Sequence, residues 1–146
     1  MKETFRVRES EIGDIAKNIL EALSAKEKEG AKLLHLEGDL GTGKTTFTKE
    51  LAAHLGIDKD DVQSPTFILK REYLSAHPRI RRLIHIDAYR FLDEEEGKAL
   101  RLKDDLLDPR NLVVIEWPEK MKSGIPDMTL RFSVVDDDTR DISVDL

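Results

Sequence analysis

The sequence predicts an α/β fold of three layers, with a mixed, largely parallel central sheet between helices and a C-terminal β-hairpin. Three observations predict it. Ala31-Lys32-Leu33-Leu34-His35-Leu36 is a short apolar run that leads into a glycine-rich stretch; Phe47, Leu51 and Leu55 then recur at four-residue spacing, the stripe of an amphipathic helix. Leu83-Ile84-His85-Ile86-Asp87 and Leu112-Val113-Val114-Ile115-Glu116 read as two further buried strands, each tipped by an acid. Met128 to Val135 and Asp141 to Val144 alternate well enough to be strands joined by a turn at Asp136-Asp137-Asp138-Thr139.

Taken in order, Phe5-Arg6-Val7-Arg8 alternates apolar and basic residues, a short strand with one wet face. Ser10 is expected to cap a helix whose stripe is Ile12, Ile15, Ile19 and Leu23 and which runs to about Ser24. Lys26 to Gly30 is a charged turn, and the helix after Lys44 is expected to end near Gly56. Asp58 to Asp61 is a solvated loop. Ser64-Pro65-Thr66 precedes the runs Phe67-Ile68-Leu69 and Arg71-Glu72-Tyr73, and proline there fits a strand start. That hydroxyl-rich stretch is either a loop that senses a terminal phosphate or an ordinary turn. Residues 91–110, anchored by Leu100, Leu102, Leu106 and Leu107, read as one or two short helices. Gly124 and Pro126 mark a turn. The 146 residues are expected to form one domain, 1–146, without repeats or linkers.

The stretch Gly38-Asp39-Leu40-Gly41-Thr42-Gly43-Lys44-Thr45 satisfies the phosphate-loop pattern G-x-x-x-x-G-K-[ST] at every fixed position, between the predicted strand and the predicted helix. The chemistry follows from those residue types. Glycines let the backbone curl so that its N–H groups point at phosphate oxygens, and the helix N-terminus favours negative charge. Lys44 would reach the β- and γ-phosphates, and the Thr45 hydroxyl would ligate Mg²⁺. The three layers are thus those of a P-loop NTPase fold. Asp87 and Glu116, at the ends of their strands, are candidate oxygen ligands for such a cation, directly or through water, and either could instead be a helix cap or a strand-end salt bridge. Pattern alone leaves open which of them binds it directly. His85 shares a strand face with Asp87 and is read as a buried, hydrogen-bonded histidine. Trp117 either packs or forms part of the nucleotide or partner surface, and Arg140 is a candidate for a place near the nucleotide.

Composition sets outer bounds. The chain has no cysteine, so it has neither disulfides nor a thiol nucleophile. No apolar stretch is long enough to span a bilayer and the first residues are not those of a secretory signal, so a cytoplasmic protein without membrane association is expected. The net charge of −6 argues against a broad nucleic-acid footprint. Lys70, Arg71, Arg79, Arg81, Arg82 and Arg90 nevertheless concentrate positive charge, either as a solvated surface or as a patch that faces RNA or an acidic partner.

Gly38 to Thr46, Ser64-Pro65-Thr66-Phe67, His85-Ile86-Asp87-Ala88-Tyr89-Arg90 and Ile115-Glu116-Trp117-Pro118-Glu119, in that order and rough spacing, resemble the TsaE (YjeE) family. The resemblance covers most of the chain. It implies an ATPase needed in bacteria for N6-threonylcarbamoyladenosine (t6A) in tRNAs that read codons beginning with A. It further implies ATP and Mg²⁺ as cofactors and the TsaB–TsaD heterodimer, whose TsaD subunit performs the transfer, as partner; tRNA would be touched only within that assembly. Carried over by motif, Gly38, Asp39, Leu40, Gly41, Thr42, Gly43, Lys44, Thr45 and Thr46 would bind nucleotide. Lys44, Asp87 and Glu116 would serve catalysis. Glu116 matches the family's metal-binding glutamate, with Thr45 and Asp87 near the same cation. Ala88 stands where leucine is usual, and the segment after Tyr73 departs from the family pattern. Two rivals remain from the residues alone: a small-molecule kinase, or a non-catalytic ATP-dependent interaction module.

Overall fold

The structure, a computed structural model, describes residues 2–62, 70–90 and 100–146. The expected features at Ser64–Thr66, Phe67–Leu69 and 91–99 lie outside the described residues. The elements run β1 (Lys2–Arg8), a 3₁₀ turn (Glu9–Glu11), α1 (Ile12–Ala25), β2 (Lys32–Glu37), α2 (Lys44–His54), β3 (Lys70–Leu74), β4 (Arg82–Asp87), α3 (Leu102–Leu107), β5 (Asn111–Glu116), β6 (Met128–Val134) and β7 (Thr139–Asp145).

These strands form a seven-stranded sheet in the order β1-β7-β6-β2-β5-β4-β3. The centre is parallel: β6, β2, β5 and β4 all run the same way. β3 pairs antiparallel with β4 at one edge, and β7 and β1 pair antiparallel at the other. The expected hairpin is β6–β7. Its turn is tied by Asp136, whose Oδ1 accepts the N–H groups of Asp138 and Thr139 at 3.0 and 2.9 Å.

Strand alternation sorts the core into two faces. Leu34 and Leu36 of β2, Leu112 and Val114 of β5, and Leu83 of β4 join the stripes of α1 and α2 in the larger core. Leu33, Ile84, Ile86, Val113 and Ile115 point the other way and are covered by Leu102 and Leu106 of α3. A strand buried on both faces reads as a continuous apolar run, which is why β4 and β5 were visible in sequence. Glu116 shares the α1–α2 side with Val114, two residues back, and Asp87 with Leu83, four residues back.

One expected cap is corrected. Ser10 lies inside the 3₁₀ turn and makes no cap; instead Glu11 Oε1 accepts the Arg8 N–H at 2.9 Å. The chain enters α1 through that turn because β1 is held to β7 up to Arg8–Thr139, and Glu9 N–H then reaches Asp138 O at 3.1 Å. At the far end of α2, Gly56 N–H closes on Ala53 O at 3.0 Å, the stop expected there. Among the described residues no helix is long and apolar enough to cross a membrane.

Candidate functional site

Parallel strands bring their carboxyl ends to one edge of a sheet, and ligands of open α/β sheets bind outside that edge. Here the loop after β2 meets the ends of β5 and β4. Leu36 is in register with Glu116, and Glu116 with Asp87, so the phosphate loop and both acids lie on neighbouring strands. Between them is a cleft of about 290 Å³ lined by Leu40, Gly41, Gly43, Lys44, Thr45, Thr46, Asp87, Glu116 and Trp117, with Glu9, Ile12 and Arg140 from the β1–β7 side.

The loop is built from its own backbone. Gly38 has φ 142°, and a Cβ there would stand 2.7 Å from Phe132 O and 2.8 Å from Thr42 Oγ1, so only glycine fits against β6. Thr42 donates its hydroxyl to Asp39 O at 2.7 Å, which closes the turn. Gly43, at φ 110°, turns the chain into α2, whose first residue is Lys44. Gly38, Asp39 and Thr42 therefore shape the loop, whereas Leu40, Gly41 and Gly43 to Thr46 face the cleft.

Lys44 is 5% exposed. Its ammonium donates to Gly38 O and lies 4.1 Å from the centroid of the Trp117 ring, within cation–π range. Burial pushes its pKa below the usual lysine value; the opposing pull of Glu116, Asp87, Glu119 and Asp39 only partly compensates. Trp117 takes a left-handed backbone, φ 59°, with its N–H on Leu36 O at 3.3 Å. Tyr89 packs against it with ring centroids 4.9 Å apart. The tryptophan thus both packs and forms a wall of the cleft, two readings that the residues alone could not separate.

Both acids are buried, Asp87 at 6% and Glu116 at 4% exposure. Asp87 Oδ1 accepts the Tyr89 N–H at 2.9 Å, and Ala88 N–H reaches Glu116 O at 3.0 Å. His85, fully buried, sets its Nε2 2.6 Å from Glu116 Oε2. The expected hydrogen-bonded histidine is present, and its partner is the candidate metal-binding glutamate. Two carboxylates and a threonine hydroxyl are hard oxygen donors, and so few of them suit a cation that also takes phosphate oxygens. Among the described residues no three His, Cys, Asp or Glu side chains cluster as a separate metal cage.

Arg140, the candidate for a place near the nucleotide, lies within β7, and its guanidinium Nη1 donates to Asp136 O at 2.7 Å while lining the cleft. Glu9 was not singled out in the sequence, and Ile12 only as part of the α1 stripe. Their place at the cleft depends on β1 pairing with β7, which no local pattern announces.

This arrangement matches a known family along nearly the whole chain. The family model described as "Threonylcarbamoyl adenosine biosynthesis protein TsaE" matches residues 7–142. The chain belongs to the TsaE family. The TsaE of Bacillus subtilis (strain 168) is 37% identical to it over 123 residues, covering 83% of this chain and 73% of that one. The TsaE of Aquifex aeolicus (strain VF5) is 30% identical over 145 residues, covering 99% and 96%. Both carry the name "tRNA threonylcarbamoyladenosine biosynthesis protein TsaE". A solved structure described as "Crystal structure of Bacillus subtilus YdiB" superposes with a TM-score of 0.65 at 29% identity, covering 99% of this chain and 84% of that chain. TsaE is a protein of the P-loop ATPase type, and the loop at Gly38–Thr46 and the two acid-tipped strands are the elements of this chain that correspond to that type.

Proposed function

We propose that residues 1–146 work as one ATPase domain that binds ATP with Mg²⁺ and drives t6A formation on tRNA by acting on the TsaB–TsaD complex. Membership of the TsaE family supports the pathway. The observation that carries the chemistry is the placement of Lys44, at the end of the phosphate loop, opposite two buried acids on adjacent strands.

In this reading the loop N–H groups and Lys44 hold the β- and γ-phosphates, with Lys44 leaving Gly38 O and the Trp117 ring for them. Thr45, Glu116 and Asp87 would hold the cation and orient the attacking water in line with the bond to be broken. Mg²⁺, when bound, neutralises charge on the phosphoryl oxygens. Catalysis is then positioning and charge stabilisation by Lys44, the loop amides and the residues that would hold the cation. No arginine is assigned to the transition state, so turnover is slow alone and rises when TsaB–TsaD completes the site. Of the basic segment, Lys70 is committed to Asp105 at 2.5 Å and Arg79 donates to Ser24 O at 3.3 Å, which supports tRNA contact only within the assembly.

Multiple-turnover tRNA modification with purified TsaB and TsaD tests this. Wild type should sustain turnover and Lys44→Ala should stop after the first round, while ATP hydrolysis by wild type should rise on adding TsaB–TsaD. Full modification by Lys44→Ala would instead favour the non-catalytic module. Nucleotide loss that depends on an added small acceptor would favour the kinase. Equal hydrolysis with and without the complex would refute partner stimulation.

A further inference from the structure

We infer that His85 is a positioning residue for the metal, holding Glu116 so that one carboxylate oxygen is turned to the cation; this rests on the Mg²⁺ reading of the site given above. The observation is the contact between His85 Nε2 and Glu116 Oε2, 2.6 Å long and closed to solvent, with the histidine 0% and the glutamate 5% exposed at the side chain. A carboxylate that binds a cation only accepts hydrogen bonds, so in this reading the ring nitrogen donates from Nε2. The other nitrogen agrees. Nδ1 is buried with no hydrogen-bond partner among the described residues, and a lone pair without a partner costs less there than a stranded N–H.

The surroundings argue that the histidine is there for its donor. His85 lies on a sheet face between Leu83 on its own strand and Val114 in register on β5, both of the apolar core, with Arg71 in register on β3. A leucine would meet the packing need with no polar atom to satisfy. The imidazole instead occupies Oε2, restricts rotation of the carboxylate and leaves Oε1 for the cation or a water bound to it. Asp87 is held in a parallel way, by Tyr89 N–H on Oδ1. Partners of this kind orient metal-binding carboxylates, and losing one typically weakens metal binding about 10–100-fold.

The test is an equilibrium titration of a fluorescent ATP analogue, first in EDTA and then at rising Mg²⁺, for wild type, His85→Leu, His85→Gln and His85→Asn. Gln reaches about as far as Nε2 and can donate there; Asn cannot. Affinity in EDTA should be the same for all four. His85→Leu and His85→Asn should need about 10–100-fold more Mg²⁺ to reach half of the metal-dependent tightening. His85→Gln should keep the wild-type requirement. An unchanged requirement in His85→Leu, or equal failure of Gln and Asn, overturns the proposal while leaving the metal site standing. A wild type whose nucleotide affinity ignores Mg²⁺ overturns both. Should His85→Leu not fold, the Gln–Asn comparison decides alone, and equal requirements there count against the proposal.

Discussion

Lys44 carries a positive charge into a site nearly closed to water, where it has a carbonyl and the face of Trp117 as neighbours. That position is costly for an ammonium and is what lowers its pKa. A phosphate would relieve the cost, so binding should draw Nζ away from the indole. Trp117 is the chain's only tryptophan, which makes its fluorescence a direct reporter. Saturating ATP should change its emission in wild type and leave Lys44→Ala nearly unaffected. No change in wild type at a nucleotide concentration shown by calorimetry to saturate the site would refute this coupling. The identity of Lys44 and of the acids was legible because each follows a strong local pattern. Their partners were not. The indole over Lys44 and the imidazole on Glu116 come from residues far along the chain, and only strand register brings them together.

Short-range signals told the elements apart, and their ends show where such signals fail. Ser10 has the chemistry of a cap, since its hydroxyl could accept an N–H at a helix start. Register with β7 overrides it: the chain is held extended through Arg8 and makes a 3₁₀ turn, and Glu11 satisfies the Arg8 N–H instead. Ser10→Ala should therefore shift stability by less than about 0.5 kcal/mol. Glu11→Ala should cost about 0.5–1 kcal/mol, the usual range for an exposed cap. Urea unfolding of both variants checks the order, and the reverse order would restore Ser10 as the cap.

At the scale of the molecule, Asp127 fastens the end of the sheet away from the cleft. Its carboxylate, 6% exposed, receives Lys26 and Lys28, each at 2.8 Å, and the Leu33 N–H at 2.8 Å. It thereby joins the turn after α1, the start of β2 and the approach to β6. Burial is the largest influence on this group and pushes its pKa up. The hydrogen bonds from Lys26, Lys28 and Leu33 together outweigh it, and the pKa lies below the usual 3.8. The sign follows by linkage. A carboxylate with a lower pKa when folded adds stability that is complete above its unfolded value and lost as pH falls through the folded one. Wild type should therefore lose stability below about pH 4. Asp127→Asn should be about 1–3 kcal/mol less stable at pH 7 and should lose less on acidification. Chemical denaturation across pH measures both, and parallel acid limbs would show that Asp127 contributes nothing to the pH dependence.

Local sequence by itself determined the phosphate loop, the apolar strands around it and the acids at their tips, because each is encoded within about ten residues by spacing and residue type. It also carried enough linked motifs to point to the family. Tertiary structure alone decided what surrounds those groups. It set Asp87 beside Glu116, brought Glu9, Ile12 and Arg140 to the far wall of the cleft, spent part of the basic segment on internal pairs and gave Glu116 its histidine. The physical reason is register. A shift of one residue between strands turns every side chain to the opposite face, and that alignment is fixed by the packing of the whole sheet rather than by any stretch within it.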